Sequence, residues 1–205
     1  MENNRELIQH LEKSGVLRNQ IIKRAMTEID RAAFVPKHLR QHAYEDIALP
    51  IGSGQTISQP TTVAFMFEQL APESGMRVLD IGFGSGWTTA LLASIVGEHG
   101  EVHAIELVLE VFTRGRETLE QFNFTQVRLY NQSGVFGLPK RAPFDRILVS
   151  AAADEIPSAF LEQLAEGGIL VIPIINDIIR VVKESKTKFT KKMFPGFVFV
   201  PLVST

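Results

Sequence analysis

The sequence predicts an α/β fold: a doubly wound, mostly parallel sheet of seven strands with helices on its faces, preceded by a helical extension. Three observations predict it. Short apolar runs alternate with helix-forming stretches through the second half of the chain. An apolar strand, an acid and three alternating glycines are joined in one stretch, R-V-L-D-I-G-F-G-S-G-W, at 77–87. The first part of the chain, in contrast, shows helix periodicity.

Residues 5–14 read as a short helix with Leu7, Ile8 and Leu11 on one face. Gly15 breaks it, and residues 19–29 form a second helix with Ile21, Ile22, Ala25 and Ile29 facing inward. Pro36 then opens a third short helix at its first turn, where its missing N–H is not needed. His38 and His42 lie four apart, the spacing of a metal pair on a helix, but no third ligand accompanies them, so they are read as solvated or hydrogen-bonded and no metal is expected. Residues 48–60, A-L-P-I-G-S-G-Q-T-I-S-Q-P, hold two prolines, two glycines and the hydroxyls of Ser53, Thr56 and Ser58. Such a stretch is neither helix nor central strand. Its length and its apolar residues mark it as a binding loop rather than a plain connector. Residues 61–70 follow as a largely buried helix, apolar nearly all round at Val63, Phe65, Met66, Phe67 and Leu70.

The stretch 77–87 is a strand turning into a helix. Asp80 sits near the end of the strand, and Gly82, Gly84 and Gly86 form the turn, where a ligand can lie against bare backbone. The helix after it, T-T-A-L-L-A-S-I-V, points free N–H groups at whatever lies over the loop. Twenty residues past Gly86, Glu106 closes a second strand, E-V-H-A-I-E, where an acid can take both hydroxyls of a ribose. The spacing is G-x-G-x-G after an acid, not the G-x-G-x-x-G that cradles a pyrophosphate. A nucleoside without phosphates is therefore expected, and S-adenosylmethionine is such a ligand. A tight β–α turn with no ligand is the plainer alternative for the glycines alone.

Residues 111–122 read as a helix, 125–130 as a third strand and 144–151 as a fourth. Pro157 opens a further helix, ended by Gly167 and Gly168, and 169–175 is a fifth strand; 178–182 and 197–200 complete the seven. Five lysines lie between 183 and 192 with one aromatic, Phe189, and the segment is read as a solvated turn between edge strands rather than a nucleic-acid patch. By the crevice rule for such sheets, a ligand lies beyond the carboxyl ends of the strands, where Gly82, Glu106 and the turn after Tyr130 emerge.

The chain of 205 residues is expected to be a single domain, with 1–60 as helical extension and active-site loop and 61–205 as the cofactor-binding core. With 21 basic and 23 acidic residues the formal charge is −2, which offers no general attraction to nucleic acid or an anionic membrane. Cysteine is absent, so a disulfide framework and a thiolate nucleophile are both excluded. No run of about 18 apolar residues occurs, and the polar start carries no targeting signal. A cytoplasmic monomer is expected.

The motifs R-A-A-F-V-P, A-Y-E-D, L-P-I-G-S-G-Q-T-I-S-Q-P, V-L-D-I-G-F-G-S-G-W, A-P-F-D-R-I-L-V-S-A-A-A, I-P-S-A-F-L-E-Q-L, G-G-I-L-V-I-P and F-V-P-L, spread over residues 31–202, resemble the protein-L-isoaspartate O-methyltransferases. The I-G-S-G-Q-T-I-S-Q-P stretch is particular to that family. The resemblance implies a class I methyltransferase fold, S-adenosylmethionine as donor, and L-isoaspartyl residues of damaged proteins and peptides as acceptor. It places Ser58 at the active-site serine. Thr56, Ile57, Ser58, Asp80, Gly82, Gly84, Gly86, Glu106, Leu107, Ser133 and Gly134 fall at its cofactor positions. The chain departs from the family where Ser133 replaces the aspartate expected to accept from the adenine amine, where Pro173-Ile174-Ile175 replaces P-V-G, and where Val203 replaces a threonine. A homologue that binds the cofactor without turnover is the alternative these departures leave open, and a role for Ser58 as a mere helix cap is another.

Overall fold

The computed structural model describes residues 1–203. Helix α1 (Asn4–Lys13) buries Leu7, Ile8 and Leu11 and is capped by the Asn3 side chain. Helix α2 (Gln20–Glu28) buries Ile22, Ala25 and Met26. Ile21, expected to face inward, is 47% exposed; the nine-residue helix turns its buried stripe one position on, so that Met26 takes the place assigned to it. Two 3₁₀ segments follow, Arg31–Phe34 and Lys37–His42. Pro36 precedes the second rather than opening an α-helix. In a 3₁₀ turn residues three apart eclipse, so His38 and His42 lose the shared face that four-residue spacing would provide, and the His42 ring pairs with Glu45 at 2.7 Å.

The expected binding loop is more ordered than a loop. It folds as a hairpin of β1 (Leu49–Gly52) and β2 (Gln55–Ile57), turning at Ser53 and Gly54, and this two-stranded sheet stands apart from the main one. Pro50 is tolerated because no third strand needs its missing N–H. Helix α3 (Pro60–Leu70) leads to β3 (Arg77–Ile81), α4 (Trp87–Val96), β4 (Glu101–Glu106), α5 (Leu109–Glu120), β5 (Val127–Asn131), β6 (Phe144–Val149), α6 (Ser158–Gln163), β7 (Leu164–Ile174), β8 (Asp177–Ser185) and β9 (Lys188–Pro195).

The main sheet has seven strands in the order β5-β4-β3-β6-β7-β8-β9. Strands β3 to β7 are parallel and β7-β8-β9 an antiparallel meander. The core residues of the parallel strands alternate between two layers: Val78, Leu148 and Val171 join the apolar cluster of α2, α3 and α4, whereas Leu79, Ile147, Val149 and Leu170 join that of α6.

The end of the chain departs from the sequence expectation. Gly167 and Gly168 do not end a helix; α6 stops at Gln163, and the glycines lie within β7, where the register against β6 shifts. Residues 183–192 are not a solvated turn but the end of β8 and most of β9. Lysine stems suit an edge strand that must refuse further pairing. Lys183 alone turns inward, its Nζ donating to the carbonyls of Leu161 and Leu164 at 2.8 and 2.6 Å. Residues 197–200, expected as the last strand, are irregular. Gly196, at φ 94°, turns the chain out of the sheet, and it returns over the strand ends, where Ala152 N donates to Val200 O and Ala152 O accepts from Leu202 N.

The extension is held to the sheet domain by Arg31, which is fully buried. Its Nη1 donates to Ala43 O at 2.6 Å and its Nη2 to Ile47 O at 2.9 Å and Ser58 O at 3.1 Å. The guanidinium lies over the Trp87 ring, 5.5 Å from the centroid. Burial lowers its pKa to about 10, opposed by Asp46, so it stays charged at neutral pH. Arg31→Met should cost about 3 kcal/mol in urea unfolding, because several buried carbonyls lose a charged donor at once. A loss under about 1 kcal/mol would mean the hairpin base is held by other contacts.

Candidate functional site

A cleft of about 790 Å³, its open mouth included, lies beyond the carboxyl ends of β3, β4 and β6, where the strand order reverses. Residues 81–85 form its floor, 105–108 one wall and Ser150 with Ala151 the other. Residues 55–58 of the hairpin and 200–203 near the end of the chain also line it. Residues 197–200 read as a strand and only the resemblance singled out Val203, because nothing in the apolar pattern says that this segment leaves the sheet to cover a cleft.

Of the residues expected at the site, Thr56, Ile57, Ser58, Gly82, Gly84, Glu106, Leu107 and Gly134 line this cleft. Asp80, Gly86 and Ser133 do not. Gly86 sits at the N-cap of α4 at φ 91°, and a Cβ there would lie 2.9 Å from Leu119 Cγ, so it is required by helix packing. Gly84, at φ 55°, has its nearest neighbour for such an atom, Ile51 Cδ1, at 3.5 Å, and leaves the floor of the cleft bare. Ser58 caps nothing: α3 has no side-chain cap from its N-cap residue Gln59, and Asp46 instead accepts Thr61 N at 2.8 Å and Thr61 Oγ1 at 2.7 Å. Several lining residues had no signal of their own in the sequence, among them Phe83, Ser85, Val108 and Ser150.

Two carboxylates organise the glycine loop from opposite sides. Glu106 accepts Gly84 N at 3.1 Å on Oε2 and Val108 N at 2.9 Å on Oε1. Each oxygen therefore keeps lone-pair capacity for a ligand's hydroxyls. Asp80 is fully buried on the α4 side of β3, and its Oδ2 accepts from Thr88 and Thr89 at 2.9 and 2.7 Å. Its Oδ1 has no partner. Burial raises its pKa to about 6, opposed by the two threonines and reinforced by Glu106. Ser133 Oγ is likewise buried without a partner. Gly134 beside it is forced small, since a Cβ would lie 2.5 Å from Ile81 Cγ2. Unsatisfied buried polar atoms are costly, but neither of these residues lines the cleft; of the acids it is Glu106 that faces it with acceptor capacity to spare, which suits the hydroxyls of a nucleoside-bearing ligand.

A family model described as protein-L-isoaspartate(D-aspartate) O-methyltransferase matches residues 2–205. The protein-L-isoaspartate O-methyltransferase of Ignicoccus hospitalis is 41% identical, with 98% of each chain covered. That of Anaeromyxobacter dehalogenans is 47% identical over 83% of this chain and 80% of its own. A Plasmodium falciparum chain solved in complex with S-adenosyl-L-homocysteine shares the fold over the whole of both chains, with a TM-score of 0.90 at 23% identity.

The buried Asp80 has a consequence for stability. Its folded pKa, about 6, exceeds its ordinary 3.8, so the fold favours the protonated form, and the associated stability is present below about pH 4 and lost as pH rises through about 6. Two units correspond to about 3 kcal/mol. The ligand-free protein should therefore lose up to that amount between pH 4 and 7 from this group, and Asp80→Asn should flatten the profile over that window, as read from denaturant midpoints. Parallel profiles for the two proteins would show that Asp80 is not held against its charge.

Proposed function

Because the chain belongs to the protein-L-isoaspartate(D-aspartate) O-methyltransferase family, we infer that it transfers the methyl group of S-adenosylmethionine to the free α-carboxylate of L-isoaspartyl residues in damaged proteins and peptides. The observation that carries this reading is the placement of Thr56, Ile57 and Ser58, from the stretch particular to the family, across one cleft from the glycine loop. Neither element alone would define both a donor and an acceptor side.

Residues on both sides of the cleft fit the donor. Glu106 would take the ribose hydroxyls with the lone pairs left over from Gly84 and Val108. Asp80, buried outside the lining, would act through α4, since it holds Thr88 and Thr89 of the first turn and Thr88 lines the cleft; a cation nearby would favour its ionised form. Ser133, whose neighbour Gly134 lines the cleft, is the position that the resemblance assigns to the adenine amine, and its hydroxyl would bring no charge there. Gly82 and Gly84 let the ligand lie on the floor. When bound, S-adenosylmethionine supplies a methyl group activated on a sulfonium.

The acceptor needs no general base. An α-carboxylate, with a reference pKa of about 3.5, is already ionised at neutral pH. One of its oxygens forms the bond to the methyl carbon as the carbon–sulfur bond breaks. The protein has to orient the two partners in line, which by itself can be worth roughly 7 kcal/mol or more. Ser58, free of any capping duty, and backbone N–H groups of its segment would hold the carboxylate. Val203 lines the same cleft and offers no hydrogen bond from its side chain there. The same reading takes a cytoplasmic monomer working as one unit of residues 1–205, with polypeptides and neither nucleic acid nor membrane as partners. Among the described residues no helix is long and apolar enough to cross a membrane.

A labelled methyl-transfer assay on an isoaspartyl peptide and its aspartyl twin should place label on the former only. Binding of the cofactor without transfer would favour a non-catalytic homologue. Glu106→Ala should weaken S-adenosylmethionine by about 2 to 3 kcal/mol, the usual cost of hydrogen bonds to a charged group; a loss below about threefold would put the ribose elsewhere. Ser133→Asp should tighten it by about 1 kcal/mol, roughly fivefold, unless desolvation of the carboxylate cancels the gain. Dissociation constants for S-adenosylhomocysteine and S-inosylhomocysteine separate these. If the aspartate variant discriminates against the inosine analogue no better than the parent, position 133 does not read the adenine edge.

A further inference from the structure

The hairpin that roofs the cleft joins no other strand, so its closure rests on side chains. Its base is held from below by buried contacts, Arg31 to Ile47 O and Ser58 O, and by Asp46 to Thr61. Its tip is held from the side by α5. Ser53 Oγ donates to Glu110 Oε2 at 2.6 Å, Glu110 Oε1 meets Arg114 Nη2 at 2.5 Å, and Arg114 Nη1 donates to Ile51 O at 2.9 Å. The guanidinium lies so close to Gly52 that a Cβ there would sit 2.8 Å from Nη2.

The two attachments differ in kind. Arg31 is wholly buried, whereas the side chains of Glu110 and Arg114 are 68% and 47% exposed. Exposed ion pairs are weak and screened by salt. The hairpin is therefore fastened firmly at one end and lightly at the other. Beside Ile51 and Arg114 lies a second hollow of about 860 Å³, its open mouth included, bordered also by Phe34, Val35, Arg40 and Ser85, which leaves room for Arg114 and the strand it holds to move. Ile51 rests over Gly84 and Thr56 lines the cleft, so lifting the tip uncovers the glycine loop.

We propose that Glu110 and Arg114 are positioning residues that latch the β1–β2 hairpin over the bound cofactor and set the rate at which S-adenosylmethionine enters and S-adenosylhomocysteine leaves; the proposal rests on the function inferred above for the identity of what is exchanged. Neither side chain lines the cofactor cleft. Their effect passes through Ser53, Ile51 and Gly52.

Trp87, the single tryptophan, lines the cleft and reports occupancy. Stopped-flow displacement of S-adenosylhomocysteine, followed by its fluorescence, should show off-rates about three- to tenfold faster in Ser53→Ala, Glu110→Gln and Arg114→Met. The combined Ser53→Ala and Glu110→Ala variant should be no faster than Glu110→Ala alone, because Glu110→Ala already removes the acceptor of Ser53. Added salt should speed release from the wild type more than from Arg114→Met. Arg116→Ala, which breaks the pair with Glu120 elsewhere on the same helix, should leave the off-rate unchanged. Off-rates of the latch variants within twofold of wild type, or an equal effect of Arg116→Ala, would overturn the proposal, as would failure of S-adenosylhomocysteine to bind. Transfer to an isoaspartyl peptide with unresponsive off-rates refutes the latch alone. Responsive off-rates without such transfer refute the acceptor assignment and leave the latch standing.

Discussion

The arrangement depends on one buried cation. Among the described residues no carboxylate contacts Arg31; backbone carbonyls and the face of Trp87 take its charge. Those carbonyls belong to the chain on either side of the hairpin, and Trp87 is the first residue of the helix that follows the glycine loop. A single side chain thus fixes the hairpin relative to the helix that follows the glycine loop. An arginine does this better than a lysine because its planar fork presents donors in several fixed directions and tolerates contact with an aromatic face. The cost of burying it, visible in its lowered pKa, is recovered only if every carbonyl stays in place, which makes the local geometry all-or-none.

The glycine loop is shaped from the other side by two acids with unlike surroundings. Glu106 spends part of its hydrogen-bonding capacity on the backbone of two loops and keeps the rest for a ligand. Asp80 is sealed beneath α4, half satisfied, and held against its own ionisation. The free protein therefore carries unfavourable free energy at this buried carboxylate. Such local discontent is common where a protein is built to bind, since contacts left open in the free state are the ones a ligand can complete.

The hairpin shows how closure and access can coexist. Its strands pair only with each other, so the sheet does not lock it. Buried contacts at its base maintain register with the cleft, and exposed contacts at its tip give way cheaply. A roof woven into the main sheet would hold a cofactor equally well but would have to break ladder hydrogen bonds to release it.

Much of this could be read from the chain alone, for reasons that are local. Strand, acid, glycines and helix at 77–87 form from neighbouring residues, as does Glu106 at the end of β4, and their alternation with further helices dictates a parallel sheet with its crevice at the strand ends. The sequence by itself therefore determined the fold class, the glycine-loop side of the cleft and, through the stretch around Ser58, the family. It did not determine what long-range partners decide. The lysine-rich segment became an edge strand because β8 stood beside it, and residues 197–200 left the sheet because Gly196 turned them toward Ala152. Gly86 packs against Leu119 and does not line the cleft, and Arg31 found its carbonyls up to 27 positions away. Periodicity records which face of an element is apolar, but it carries no record of which neighbour will cover that face or which distant carbonyl a buried charge will find; only the packed chain settles those pairings.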